Sequence, residues 1–156
     1  VFIGYDPSTR AIDAAKKRFS TFDNVELFNL GAESIPESND IDFAMTLDCL
    51  HDMPRPDIAL KAIHGALNDS GTLLVKEIKS SATWNENLRN PVLALMYATS
   101  ITTCLSSAMS DPDTLGLGTL GLNPDLLEEL TREAGFTYFQ QHKVEDPTNL
   151  YYEVRP

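Results

Sequence analysis

The stretch Ile41–Pro54, IDFAMTLDCLHDMP, constrains this chain more than any other. Ile41, Phe43, Ala44, Met45 and Leu47 form an apolar run bounded by turn residues, a pattern that predicts a core strand. The run ends abruptly in Asp48, Cys49, His51 and Asp52. In open α/β sheets, ligands bind just beyond the carboxyl ends of the strands, near a switch in strand order. Two carboxylates, a thiol and an imidazole at a strand exit are therefore placed for chemistry or for contact with a ligand.

The flanking sequence predicts the sheet that holds this strand. Val1–Tyr5 reads as a short apolar strand running into Asp6-Pro7-Ser8. Ser8 is a natural N-cap for a helix over Ser8–Phe19, with Ile12, Ala15 and Phe19 on one face. Val25–Leu30 is a second strand, and Gly31–Asp40 a polar loop holding a lone Ile35-Pro36. Pro54 and Pro56 introduce a helix whose apolar stripe is Ile58, Ala62, Ile63, Ala66 and Leu67. Asn68–Gly71 stops it, and Thr72–Ile78 is a further strand. This alternation implies parallel pairing through right-handed crossovers, hence a doubly wound α/β sheet.

Lys79–Leu122 is too long for a plain connection. A helix beginning at Asn90-Pro91 carries Leu93, Met96, Tyr97, Ile101, Cys104, Leu105 and Ala108. A lid, an oligomer contact and an extra layer over the sheet all fit it. Asn123-Pro124 caps another helix with Leu126, Leu127, Leu130 and Ala134 on one face, and Gly135 stops it. Thr137–Val144 and Leu150–Val154 read as two strands whose short link makes them an antiparallel pair. We expect one domain over residues 1–156, with 79–122 as a helical insert.

The formal net charge of -11 argues against nucleic acid or an anionic membrane surface as partner, since both need a cationic footprint. No apolar run approaches the ~20 residues of a membrane span. The two cysteines, Cys49 and Cys104, are too few for a disulfide framework and fit reduced thiols in the cytoplasm. His64 and His142 form no metal-ligand spacing with His51, so no metal site is expected. Gly116, Gly118 and Gly121 spell GxGxxG, but no strand precedes them and no acid stands ~20 residues on. They read as a lid connection.

Several strings in order resemble the class I methyltransferases that use S-adenosylmethionine. GYDPSTRAIDAA is similar to that family's second strand and following helix, and LGAESIP to the loop after its third strand. IDFAMTLDCLHDMPRP resembles the fourth strand and its exit, NDSGTLLVKEI the fifth strand, and TREAGFTYF the late helix running into the sixth. DCLHDM, GLGT and the ending NLYYEVRP resemble, more closely, bacterial small-molecule methyltransferases and regulators with a winged-helix segment ahead of the catalytic domain. The resemblance implies a Rossmann-like, mostly parallel sheet with a final antiparallel strand. It also implies S-adenosylmethionine as cofactor and a small molecule as methyl acceptor.

Residue by residue, it implies that Asp6, with Pro7, holds the ribose hydroxyls. Gly31 and Ala32 line the adenine, and Asp48 faces the methionine end or the substrate. Gly31 stands where the family usually has an acid, leaving the Ala32 backbone N–H as the expected adenine contact. Helix capping by Asp6 and an Asx turn at Asp48 are the plain alternatives. His51 is the candidate general base; a loop histidine satisfied by Asp52 or backbone is the alternative.

The family's first strand and Gly-rich turn have no counterpart in the chain, which makes the domain N-terminally incomplete. Three outcomes follow. Val1–Tyr5 and Ile41–Leu47 pair directly, two chains pair as a homodimer, or the chain is a piece of a longer protein. In each, weak or no binding of S-adenosylmethionine by these residues alone is expected. The functional alternatives are a non-catalytic ligand-sensing or dimerisation module of a regulator, and a different Rossmann-type enzyme using a nucleotide.

Overall fold

The computed structural model describes all residues, Val1–Pro156. The two strands β1 (Phe2–Tyr5) and β2 (Val25–Phe28) pair in parallel. Helix α1 (Thr9–Arg18) joins them, and the Ser8 hydroxyl accepts the Ala11 N–H at 3.3 Å as its cap. Ile12 is the buried residue of α1.

The main sheet holds β3 (Ile41–Leu47), β4 (Leu67–Ile78), β5 (Tyr138–His142) and β6 (Asn149–Arg155). Its order is β3-β4-β6-β5. β3 and β4 are parallel, and β6 inserts antiparallel to both β4 and β5. The expected antiparallel finish is therefore present. Asn68–Gly71, expected as a stop, is a local turn inside the span of β4. There the pairing jumps from Ile41↔Leu67 to Phe43↔Thr72 while Asn68 Oδ1 accepts the Ser70 N–H at 3.0 Å.

Helices α2 (Pro56–Ala66) and α7 (Pro124–Ala134) pack together on one face of this sheet. Asn123 Oδ1 caps α7 by accepting the Asp125 and Leu126 N–H groups at 3.1 and 3.2 Å. Leu60, Ile63, Leu127 and Leu130 meet Leu73, Val75, Tyr152 and Val154 in one core. Ile58 corrects the expected stripe of α2, since it is 40% exposed while Ala59 and Leu60 are buried. Both sets satisfy helical spacing, and the sheet selects the second. Leu67 has already left the helix for β4.

β1 and β3 do not pair, so the direct closure considered above does not occur. Phe2 and Ile3 remain exposed, as do Phe43, Met45 and Leu47 on one face of β3. The loop from β2 ties the two sheets through α2. Ser38 and Asn39 donate their N–H groups to the Gly65 carbonyl, both at 3.2 Å, and Asp40 donates to Ala66 at 3.1 Å. Ile35, the lone apolar residue of that loop, packs against the core.

The insert comprises α3 (Trp84–Asn87), α4 (Leu93–Thr99), a π-helical segment (Ser100–Cys104), α5 (Leu105–Ala108) and α6 (Gly118–Gly121). The helix expected from Asn90 is present, with a π turn in its middle. No helix is long and apolar enough to cross a membrane.

Leu73 is fully buried at the centre of β4. Leu73→Ala should cost ~2–5 kcal/mol in urea unfolding, the range for deleting a core leucine. A loss below ~1 kcal/mol would mean that this face is not the core.

Candidate active site at the carboxyl edge of the strands

Parallel strands put their carboxyl ends on one edge, and the polar residues singled out in the sequence gather there. Asp6 follows β1. Its Oδ1 accepts the Ser8 N–H at 2.7 Å, while Oδ2 makes no hydrogen bond within the chain. Asn29, at the exit of β2, fixes this turn by donating to the carbonyls of Asp6 and Pro7 at 3.1 and 2.9 Å. Asn29 Oδ1 in turn accepts the Thr9 hydroxyl at 2.8 Å. The capping role and a free acceptor oxygen thus coexist on one carboxylate.

Gly31 and Ala32 open the 3-10 turn Ala32–Ser34, which packs against α2. The Glu33 carboxylate lies directly over Gly31: a Cβ on Gly31 would stand 2.2 Å from Glu33 Oε1. The acid missing from position 31 is therefore replaced in space by the side chain of Glu33. Sequence spacing hid this, because the acid stands two residues later and folds back.

Asp48 leaves β3 in the left-handed region, with φ 52°. Lys76 Nζ donates to its Oδ2 and Asn149 Nδ2 to its Oδ1. Both oxygens of this expected cofactor-facing carboxylate are engaged within the chain, and Asp48 ties the exit of β3 to β4 and β6.

The 3-10 turn Leu50–Asp52 follows. His51 is 3% exposed, and its Nδ1 lies 2.5 Å from Oε2 of the buried Glu77. The other Glu77 oxygen accepts the Leu50 N–H at 2.9 Å. His51 Nε2 faces Asp52 Oδ1 at 3.2 Å and the Cys104 thiol, which comes from the π segment of the insert. Burial alone would lower the imidazole pKa. The Glu77 hydrogen bond and charge, with Asp52 and Cys104, overcome it and raise the pKa to about 9. The ring expected as a candidate general base is held at both nitrogens, by Glu77 and by Asp52. Burial pushes the neighbouring Cys49 thiol up to about 11, so it stays a neutral thiol.

Glu77 and Cys104 are the site residues the sequence reading missed. Glu77 sits in an apolar strand and Cys104 in a distant insert. The one sequence signal for Glu77 is a lone acid in an otherwise apolar strand, a residue type almost never fully buried unless paired.

The insert closes over this cluster. The Leu115 N–H donates to the Pro54 carbonyl at 3.0 Å, and the Thr119 N–H to the Ser100 hydroxyl at 3.0 Å. Gly118 has φ 64°, and a Cβ there would meet Ser100 Oγ at 2.6 Å. No strand leads into this glycine run, in keeping with a lid connection.

Residues 1–75 match the sequence profile of the family described as Methyltransferase domain. No curated protein matches the chain in sequence. Solved structures share the fold across the whole chain. The trans-methyltransferase CalH in complex with SAH is 21% identical, with a TM-score of 0.69 over 98% of this chain and 42% of that one. The citrinin polyketide synthase CMeT domain is 17% identical, with a TM-score of 0.66 over 97% of this chain and 38% of that one. Human N-acetylserotonin methyltransferase in complex with SAM is 20% identical, with a TM-score of 0.62 over 98% and 39%. The profile match covers just under half of the chain, and the solved structures share its fold: the chain is similar to S-adenosylmethionine-dependent methyltransferase domains. The chain spans about two-fifths of the length of these structures.

Two outcomes test this geometry. Glu77→Ala leaves His51 Nδ1 and the Leu50 N–H buried without a partner, and should cost ~1–3 kcal/mol in chemical unfolding. Gly118→Ala should loosen the insert and speed limited proteolysis between residues 109 and 117, with the sheet intact by circular dichroism. An unchanged cleavage rate would show that the Ser100 contact does not hold the lid.

Proposed function

We propose that this domain transfers the methyl group of S-adenosylmethionine to a small molecule bound under the insert. The observation that carries the reading is the pair of acceptors at the carboxyl edge. Asp6 offers a free carboxylate oxygen at the exit of β1, where a ribose diol can donate to it. Glu33, folded over Gly31, offers a carboxylate to the exocyclic amine of an adenine, with Pro7, Gly31 and Ala32 lining the same edge. These residues fit the nucleoside end of the cofactor.

When bound, the cofactor supplies an electrophilic sulfonium methyl. The chain supplies alignment and exclusion of water, which together account for much of the rate in such a transfer. Asp48 holds the exit of β3 rigid through Lys76 and Asn149. Glu77 fixes the orientation of His51, and the insert shuts the cluster from solvent. The acceptor approaches between the Leu50–Asp52 turn and the lid, where Asp52 and His51 present polar atoms to it.

The direct test is transfer of labelled methyl from S-adenosylmethionine to a panel of small phenols, amines and thiols. Methylated product supports the reading. Binding of cofactor or ligand with no product from any acceptor supports the rival, a ligand-sensing module. In a protein extended N-terminally by the family's first strand and Gly-rich turn, Asp6→Ala should weaken S-adenosylmethionine binding by ~1–3 kcal/mol, the scale of a hydrogen bond to a charged group. Equal affinity for both proteins in titration calorimetry removes Asp6 from the ribose site.

A further inference from the structure

We propose that His51 Nε2, Asp52 Oδ1 and Cys104 Sγ form a three-ligand site for a zinc-class divalent ion. The site is backed by Glu77 and open at a fourth position. Four observations converge on it, and none depends on the methyl-transfer reading.

The three donor atoms lie within 4.8 Å of one another. Zinc bonds of ~2.0–2.3 Å in a tetrahedron put donors roughly 3.3–3.8 Å apart, so a shift of about an ångström in the lid closes the site. The donor set is imidazole, carboxylate and thiol, a combination suited to zinc and its borderline neighbours. Asp52 Oδ1 faces His51 Nε2 at 3.2 Å and makes no other contact to a donor.

His51 is oriented as metal-bound histidines are. Its Nδ1 is held by Glu77 at 2.5 Å, which leaves Nε2 as the ligating atom. Glu77 is itself fixed by the Leu50 N–H at 2.9 Å, so the carboxylate behind the imidazole cannot swing away. The third ligand comes from a π-helical segment, Ser100–Cys104, a distortion found mostly at functional sites.

On binding, the imidazole and thiol release their protons to solvent, and the ion meets the anionic Glu77 and Asp52. Two ligands stand on the Leu50–Asp52 turn and one on the insert, so the ion would pin the lid onto the turn. Three protein ligands leave the fourth position for water or for a hydroxyl or thiol of the acceptor, the arrangement of catalytic rather than structural zinc sites.

The test uses the full chain freed of metal by chelation and dialysis, with Co²⁺ and Zn²⁺ alone as probes. One ion should bind per chain in titration calorimetry, and Co²⁺ should give a thiolate-to-metal charge-transfer band in the near ultraviolet. Cys104→Ser should abolish that band. Asp52→Asn and Glu77→Gln should each weaken binding ~10–100-fold, the usual effect of losing a ligand or its supporting carboxylate. Cys104 and Asp52 are only partly buried, so these two variants keep the fold, which thermal melting of the metal-free proteins verifies. His142→Ala removes the surface His142–Glu153 pair and serves as the control that should leave binding unchanged. Absence of the band, or equal Zn²⁺ affinity in wild type, Cys104→Ser and Asp52→Asn, overturns the proposal.

Discussion

Glu77 is the constraint on which the rest of the carboxyl edge depends. It stands on the same face of β4 as Leu73 and Val75, and all three are at most 1% exposed. A carboxylate at the end of an apolar stripe is tolerated only if its charge and lone pairs are answered. One oxygen takes the Leu50 N–H and the other meets the His51 ring. The turn after β3 is therefore stitched to β4 by a buried pair rather than by sheet bonding. A buried ion pair is weak evidence for stability, because desolvation offsets much of its attraction. Its persistence at the strand exit, where chemistry is expected, points to positioning as the purpose.

The same edge draws its residues from two separate sheets. β3, β4 and β6 are locked in register, with Val75 opposite Tyr152. β1 and β2 form a separate pair, tied back through the 3-10 turn, Ile35 and the end of α2. The uncovered side chains of Phe2, Ile3, Phe43, Met45 and Leu47 mark where apolar surface stays open between the two sheets. The His51–Glu77 cluster lies on the well-packed side, so its geometry does not depend on that surface being covered. Asp6 and Glu33 lie on the β1–β2 side.

Much of this was legible in the sequence because the signals are local. Ser8 and Asn123 announce helix starts, and Gly135 takes the left-handed conformation a C-cap requires, φ 110°. The short link before Leu150 requires an antiparallel pair. Ile58 misled because an amphipathic stripe of a short helix can be drawn through either of two neighbouring faces, and only the sheet decides between them. Asp48 misled because its position at a strand exit says nothing of Lys76 and Asn149, which reach it from β4 and β6. Glu77, Glu33 and Cys104 were out of reach for a related reason. A fold-back over Gly31 and a lid placed over His51 are tertiary events, and no periodicity encodes them.

The insert carries this logic one step further. It meets the rest of the chain through the Leu115–Pro54 bond and the packing of α5 and α6 on the Leu50–Asp52 turn, while the Thr119–Ser100 bond joins two parts of the insert itself. Its outer side keeps Leu95 and Ile101 exposed, at 66% and 68%, while Leu93, Ala108, Leu120 and Leu122 face inward and are buried. The sheet beneath has interlocked strands and a continuous core. Local opening follows the weakest set of contacts, so the lid opens well before the sheet yields. A site that must admit an acceptor and then exclude water needs this hierarchy. Cys104 sits where it is best used. The π segment brings it against the Leu50–Asp52 turn, which Glu77 holds from behind through the Leu50 N–H and the His51 ring.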